Sequence, residues 1–415
     1  MADDATEDLI AELDHLLAGA DRDLTAGYPG DRVDRVPVHT VYVPADRYDA
    51  GTPQAWGREA LRLLDDYAPT ADALAGATGL APERLADVYD RVRAKLAREP
   101  IEDLRVDFED GYGRRAEGVE DDDLARTLAA YESQRADGTR PAWWGIRFKA
   151  FEAPTRERGV RTLARFLEQT CTEGRVPDGL TLTLPKVTSV DQVRAMALAL
   201  ERIEVTLGLP ARSIGFEIQI ETAQAILAAD GTATVATMVH ASGRRATSLV
   251  YGTFDYSAGL GVAAPYQAPD HPVADHAKAV MQVAAAQTGV TVSDGATNVV
   301  DFSSAEAAGA TWALHTSLVL RSLRWGIYQG WDMCPGHLVS RYVATYLFFR
   351  EALRPAAARL AAYVGRVEGG VLDEPATARM LASALLRGVR CGAVDASEVQ
   401  ELAGLSVEQL VDLTR

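Results

Sequence analysis

Cysteine is scarce in this chain, and the scarcity removes two kinds of architecture. Three cysteines, Cys171, Cys334 and Cys391, are scattered over 415 residues with no CxxC pair. An odd, dispersed set builds neither a disulfide scaffold nor a zinc cluster. Cys171 and Cys391 are therefore expected as small, buried or half-buried residues. Positive charge is also short: 42 Lys and Arg stand against 59 Asp and Glu, a formal net charge of -17. Non-specific nucleic-acid binding needs a basic footprint, so no nucleic-acid partner is expected. A small anionic substrate remains compatible, because one pocket can be basic on an acidic protein. Most of the acidic excess is taken as solubilising surface. No segment approaches the ~20 apolar residues that span a bilayer, so no membrane partner is expected. The N-terminal MADDATEDLI is acidic and has no basic n-region, and a cytoplasmic location is the expectation.

What is present is an ordinary soluble composition, 47% hydrophobic and 24% charged, with a pronounced alternation of segment types. Leu9, Ile10, Leu13, Leu16 and Leu17 recur at helical spacing, which predicts an opening amphipathic helix. Strand-like segments follow at VPVHTVYVP (36–44), LRVDFED (104–110), WWGIRFKAF (143–151), LTLTLPKV (180–187), IGFEIQIET (214–222), TSLVYGTFDY (247–256), VTVSDG (290–295) and GWDMCP (330–335). Helical segments separate them. One is opened by Ser189-Val-Asp-Gln192, a capping-box spacing. Eight strand–helix units imply a parallel sheet, and their span fits a (β/α)8 TIM barrel. The rival doubly wound sheet lacks its GxGxxG fingerprint, since Gly259-Leu-Gly261 is too short to count. Three segments are expected: an N-terminal helix over 1–35, the barrel over 36–353 with a helical insertion at about 52–100, and an Ala/Leu-rich helical extension over 354–415. The extension is assigned to a cap or an oligomer contact.

A barrel places its chemistry at the C-terminal ends of its strands. The strand bodies look largely apolar, and the polar residues collect at the ends. Arg47 follows the first strand, Glu109 and Asp110 the second, Arg147 and Lys149 the third, and Lys186 the fourth. Gln219 and Glu221 close the fifth, Asp255 the sixth and Asp294 the seventh. Cys334-Pro335, with His337 beyond, closes the eighth. Glu221 and Asp255 end neighbouring strands, so their carboxylates would converge. Two carboxylates without His or Cys suit Mg2+ rather than zinc. The competing reading is that Glu221 caps the helix that follows it. Arg147 is either a fork for a carboxylate or enolate oxygen, or a salt-bridge partner of Glu109 or Asp110. Lys186 is either a Schiff-base lysine or a partner of Glu217 or Asp110. His271, His276 and His337 are the histidines near these ends.

The ordered series VYVPADR, VDFEDGYG, IRF, LPKV, IQIET, YGTFDYSAGLG, VSDGATNVVDFSSAEA and GIYQGWDMCPGHL resembles the HpcH/HpaI aldolase and citrate lyase beta-subunit family. That family includes malyl-CoA lyases, and the series is more distantly similar to malate synthase. The resemblance covers about residues 36–353. It implies a TIM barrel that binds Mg2+ or Mn2+ and cleaves or forms a carbon–carbon bond. It implies Glu221 and Asp255 as metal ligands, Arg147 as the substrate-binding and enolate-stabilising arginine, and Glu109 and Asp110 as the acidic pair that orders that arginine and metal-bound water. Arg47, Lys186 and Gly252 join Arg147 as expected substrate contacts. The implied partners are a small carboxylate, optionally as a CoA thioester, and further copies of the chain. Three features depart from the family pattern. The 221–255 loop is long, Cys334 stands where the family has His before Pro, and the segment between the first two strands is enlarged.

The expected function is therefore a metal-dependent carbon–carbon lyase or aldolase. It would act on a 2-oxo acid, a β-hydroxy acid or its CoA ester through an enolate. A malate-synthase-like condensing enzyme and a non-catalytic binding or scaffold barrel are the alternatives.

Overall fold

The computed structural model describes residues 2–365 and 374–414. Eight strands form one sheet: β1 (His39–Pro44), β2 (Asp103–Asp107), β3 (Trp143–Arg147), β4 (Leu180–Leu184), β5 (Phe216–Ile220), β6 (Ala246–Tyr251), β7 (Thr291–Ser293) and β8 (Gly330–Asp332). The order is β7-β6-β5-β4-β3-β2-β1-β8, and every ladder is parallel. The β7–β8 seam carries an isolated parallel bridge, Ser293 to Gln329. The amide of Asp294 donates to the Gln329 carbonyl there, at 2.9 Å. The result is a nearly closed eight-stranded barrel with helices interleaved outside, as the alternation predicts.

Each strand is sorted by its two-residue period. The outward set, including Val41, Val43, Leu104, Val106, Ile146, Leu182, Leu184, Ile218 and Ile220, is buried under the surrounding helices. The inward set is not apolar, contrary to the sequence-based expectation. Asp103, Arg105 and Glu217 are all buried inside the barrel. Arg105 forms ion pairs with Asp103 and, at 3.1 Å, with Glu217. The Tyr42 hydroxyl donates to the same Glu217 at 3.0 Å. These bonds join β1 and β2 to β5 across the lumen, so an ionic layer takes the place of the usual branched aliphatic one. The close approach of β3 and β4 depends on Gly145, where a Cβ would meet the Thr181 carbonyl oxygen at 1.6 Å.

The insertion after β1 comprises helices Thr52–Tyr67, Ala71–Thr78, Pro82–Leu85 and Tyr89–Arg98. The capping box at Ser189 and Gln192 is present and opens the helix Val190–Leu207. After β8 one helix runs unbroken over Pro335–Val364, through the expected boundary at 353. Helices Pro375–Cys391, Ala396–Ala403 and Val407–Leu413 complete the chain, with Leu385, Leu386, Cys391 and Leu410 buried. Residues 366–373 of the expected 354–415 extension lie outside the described residues. The N-terminal helix Ala2–Gly27 aligns Leu9, Ile10, Leu13, Leu16 and Leu17 as expected, yet all five are exposed. Among the described residues no helix is long and apolar enough to cross a membrane.

Candidate active site

The C-terminal mouth of the barrel holds a cavity of about 470 Å3 lined by Arg47, Asp110, Arg147, Glu221, Gly252 and Asp255, among others. The strand ends thus bring most of the sequence-predicted residues to one place. Arg147, the last residue of β3, is buried. Its guanidinium is held edge-on by Asp107, the last residue of β2: Nε donates to Oδ1 and Nη2 to Oδ2, each at 2.7 Å. Nη1 donates to Gln219 at 3.2 Å. The rings of Tyr42 and Trp331 lie 4.7 and 5.5 Å from the guanidinium carbon, so the fork is oriented by cation–π contact as well. Of its five N–H bonds, these three are engaged; one on each of Nη1 and Nη2 is left.

Asp107 was not singled out from the sequence. The stretch Asp103-Leu-Arg-Val-Asp107 alternates polar and apolar, and that period places Asp107 on the lumen side with Arg105. Glu109 lies 4.0 Å from Arg147 Nη1, and its carboxylate accepts the Asp110 amide at 2.7 Å. Burial pushes the Glu109 carboxyl up to about 7.

Lys186 sits at the centre of the acidic residues. It follows β4 with a left-handed backbone, φ 52°, a conformation uncommon for a residue with a Cβ. Its Nζ lies 2.7 Å from Asp110 and 3.6 Å from Glu221, and is also paired with Asp255. Its amide donates to Glu221 Oε1 at 2.7 Å. Glu217, the other partner considered for it, belongs to the lumen layer beneath. Glu221 is buried, and Gln219 donates to its Oε2 at 2.8 Å. It does not cap the next helix; Thr222 does, accepting from the Ala225 amide. Burial pushes the Glu221 carboxyl up to about 8 despite Lys186 and Arg147 nearby. Burial opposes ionisation of Asp255 too, but hydrogen bonds from Lys186 and Glu221 hold its pKa below the usual carboxylate range.

Asp255 is not at the end of β6. It lies in the first turn of the helix Thr253–Gly259, half-exposed. Gly252 makes the junction: a Cβ there would lie 2.5 Å from the Glu221 Cβ. Oxygens of Asp110, Glu221 and Asp255 all fall within 4.8 Å of one another. An all-oxygen donor set of this size fits a hard divalent cation, which completes its shell with water or substrate.

The remaining candidates face elsewhere. Lys149 donates to the carbonyls of Phe108 and Gly113 at 2.7 and 3.0 Å. Asp294 pairs with Lys278 at 2.9 Å. His271 accepts the Val273 amide as the cap of Pro272–Ala285, and His276 is exposed on that helix. Burial raises the Cys334 thiol to about 11, far from a ready thiolate. His337 is buried, with Nε2 donating to the Val299 carbonyl at 2.8 Å and Nδ1 accepting from Met333 at 3.3 Å.

His315, Asp332 and His337 form a second close cluster. Asp332 is also held by Arg341 at 2.8 and 3.0 Å and by His39 at 2.8 Å. His315 lies 2.8 Å from the Ser340 hydroxyl and 3.3 Å from Asp332. Every member has a protein partner already, as a structural network between β1, β8 and the following helices requires.

No curated protein matches the sequence. Among solved structures, the lead(II) complex of Haloferax volcanii malate synthase matches with a TM-score of 0.51 and 16% identity, over 92% of this chain and 99% of that one. The Mycobacterium tuberculosis protein CitE in complex with magnesium, acetoacetate and coenzyme A gives 0.48 and 17%, over 87% and 100%. An HpcH/HpaI aldolase/citrate lyase family protein from Burkholderia cenocepacia gives 0.43 and 14%, over 76% and 94%. At such identities the likeness concerns the fold. The family model described as "Domain of unknown function (DUF6986)" matches residues 17–415, all but the first sixteen residues, and the chain belongs to that family.

Proposed function

We propose that the protein is a metal-dependent carbon–carbon lyase or aldolase acting on a small carboxylate. Its substrate would be a 2-oxo acid, a β-hydroxy acid or the CoA thioester of one. The observation that carries this reading is the placement of three converging carboxylates beside a buried, oriented arginine in one cavity. Glu221 and Asp255, with Asp110 as a third donor, would hold Mg2+ or Mn2+. Bound there, such an ion supplies Lewis-acid polarisation of a substrate carbonyl.

The chain's own groups account for the rest. The free Nη hydrogens of Arg147 are positioned to bind a carboxylate or enolate oxygen, and Asp107 keeps the fork from turning. In the cleavage direction a base takes the hydroxyl proton of the substrate. The hydroxyl oxygen becomes the carbonyl of the leaving fragment, the carbon–carbon bond breaks, and its electron pair enters the enolate. A proton then returns to the enolate carbon. Glu109, whose carboxyl is pushed up to about 7 by burial, has the acidity that proton transfer near neutral pH favours. His337 is held away from this role by its two hydrogen bonds. Run in reverse with an acyl-CoA, the same set describes a malate-synthase-like condensation.

One observation favours the non-catalytic alternative: the Lys186 ammonium already neutralises part of the acidic cluster. Glu221→Gln and Asp255→Asn separate the readings. Mn2+ binding by calorimetry and lyase activity across 2-oxo acids with aldehydes, with and without CoA thioesters, are the measurements. Both variants should fold as the parent by circular dichroism and lose Mn2+ binding and turnover together. Parent-like Mn2+ binding in both variants would refute the site.

A further inference from the structure

A second cavity, of about 560 Å3, lies at the opposite end of the barrel. Its floor is the N-terminal end of the β7–β8 seam: Thr291 and Val292 of β7, and Gln329 just before β8. One wall is the connector from Gly30 to Val38 that leads into β1, and the other is the helix Pro375–Cys391. Arg32, Arg379, Arg387 and Arg390 all line it. The last three follow one another at 379, 387 and 390, which puts them on one helical face.

These arginines differ from the fully buried ones of the barrel. The buried Arg105, Arg147, Arg245 and Arg341 each meet a carboxylate. Among the described residues no carboxylate lies within ion-pair distance of Arg32, Arg379, Arg387 or Arg390. Arg387 instead lies over the Tyr328 ring, 4.1 Å from its centre. Arg390 is half-buried, and its pKa is shifted down from the usual value by burial and by neighbouring Arg387, with Asp34 acting against the shift. On a chain of net charge -17, four guanidinium groups against the two carboxylates of Asp31 and Asp34 in the same lining are a local reversal of sign. The volume falls within the range of small-molecule sites, on the order of 300–1,000 Å3, and exceeds what one inorganic anion fills. The remaining lining includes Val36, Leu386 and the exposed, adaptable Met380.

We propose that this cavity binds an organic phosphate of nucleotide size, with its phosphates on Arg387 and Arg390 and its less polar part against Val36, Leu386 and Met380. Guanidinium forks match phosphate oxygens in pairs. The ligand would touch the connector before β1, the β7–β8 seam and the C-terminal helices at once, and would tie them together where the barrel has its weakest ladder.

Calorimetry and thermal unfolding with ADP test this, using the full chain. ADP should bind saturably and raise the unfolding midpoint. Arg390→Glu and the exposed Arg379→Glu should each weaken binding by about tenfold or more, as loss of a charge-assisted contact with reversed sign implies. Glu221→Gln at the other mouth should leave ADP binding unchanged. Inorganic pyrophosphate separates a free phosphate source from an organic one, and should bind at least about tenfold more weakly than ADP because it leaves the apolar wall bare. Absence of saturable ADP binding at millimolar concentration would overturn the proposal. So would unchanged binding in both arginine variants with parent-like melting, binding lost in Glu221→Gln, or pyrophosphate binding equal to ADP.

Discussion

Replacing Asp107 with Asn isolates the pairing on which the mouth depends. In the native barrel the Asp107 carboxylate and the Arg147 guanidinium are each about 2% exposed and share two bonds of 2.7 Å. Asparagine keeps the shape but removes the charge, and one of its two terminal groups is a donor that faces a donor. Arg147 is then a buried cation whose nearest carboxylate is Glu109, 4.0 Å away. Breaking one partner of a buried pair destabilises by about 3–5 kcal/mol, because the other charge is left without compensation. Gln219 and the Tyr42 and Trp331 rings stay in place and relieve part of that, so about 3 kcal/mol is the expected loss. Arg147→Met leaves the reverse charge stranded and should cost a similar amount. The double variant removes both charges and should cost little more than either single one. The assay is urea unfolding of the four proteins followed by tryptophan fluorescence and circular dichroism. The expected coupling energy is about 2–3 kcal/mol. Two small single effects, about 1 kcal/mol or less and additive, would refute the claim that this pair anchors the site.

Two further outcomes follow from other clusters. Lys186→Met removes an ammonium that sits among Asp110, Glu221 and Asp255; Mn2+ affinity by calorimetry should rise by about tenfold, equal to about 1.4 kcal/mol, and unchanged or weaker affinity would contradict the assigned competition. His315 is buried and its pKa is pushed down from 6.5 to about 3 by burial and by His337. In the unfolded chain it takes a proton below about pH 6.5 that the folded state refuses, so its contribution is complete above 6.5 and is lost as pH falls towards 3. Across that window His315 alone should give a slope of about 1.4 kcal/mol per pH unit. His315→Gln should flatten the stability–pH curve by that amount, and an unaltered slope would reject the buried neutral imidazole.

The legible part of this molecule is the part written in the period of the chain. Eight apolar-alternating segments separated by helical ones gave the parallel barrel, and the polar residues after each segment gave the mouth that Arg147, Glu221 and Lys186 now share. Two kinds of information were hidden. The first is the content of the lumen. Asp103, Arg105 and Glu217 stand in strands whose neighbours Leu104, Val106, Phe216 and Ile218 are apolar, and alternation alone does not say which face is closed. A half-polar strand usually has one face in water; here that face is sealed inside a barrel, and only the crossing of β2 to β5 reveals that the charges neutralise one another. The second is local geometry at strand ends. Asp255 reads as the end of a strand because GTFDY continues the pattern of TSLVY. Gly252 instead turns the backbone and allows Glu221 to pack close, and the chain enters a helix before Asp255 is reached. Asp107, inside the same run as Glu109 and Asp110, was masked by two more conspicuous acids although its parity with Arg105 marked it.

Charge accounting along the barrel axis shows where the structure leaves room for chemistry. At the level of Arg147, one guanidinium meets one carboxylate, Asp107, and the two are matched in geometry as well as in sign. Below it, Arg105 serves both Asp103 and Glu217, with Tyr42 donating to the second. At the mouth, Lys186 alone faces Asp110, Glu221 and Asp255. Three carboxylates against one ammonium is an imbalance that a rigid, partly buried site resolves either by holding a proton or by taking a cation. The pKa of Glu221, pushed up to about 8 by burial, is the first solution in numerical form. The second releases that proton, so cation uptake and proton release belong to one event at this site. Titrating Mn2+ into the protein in buffers of different ionisation enthalpy distinguishes them. Uptake with about one proton released near pH 7 identifies Glu221 as a ligand. Uptake without release places the ion away from Glu221, and the carboxylate trio would then be an ion-pair network around Lys186.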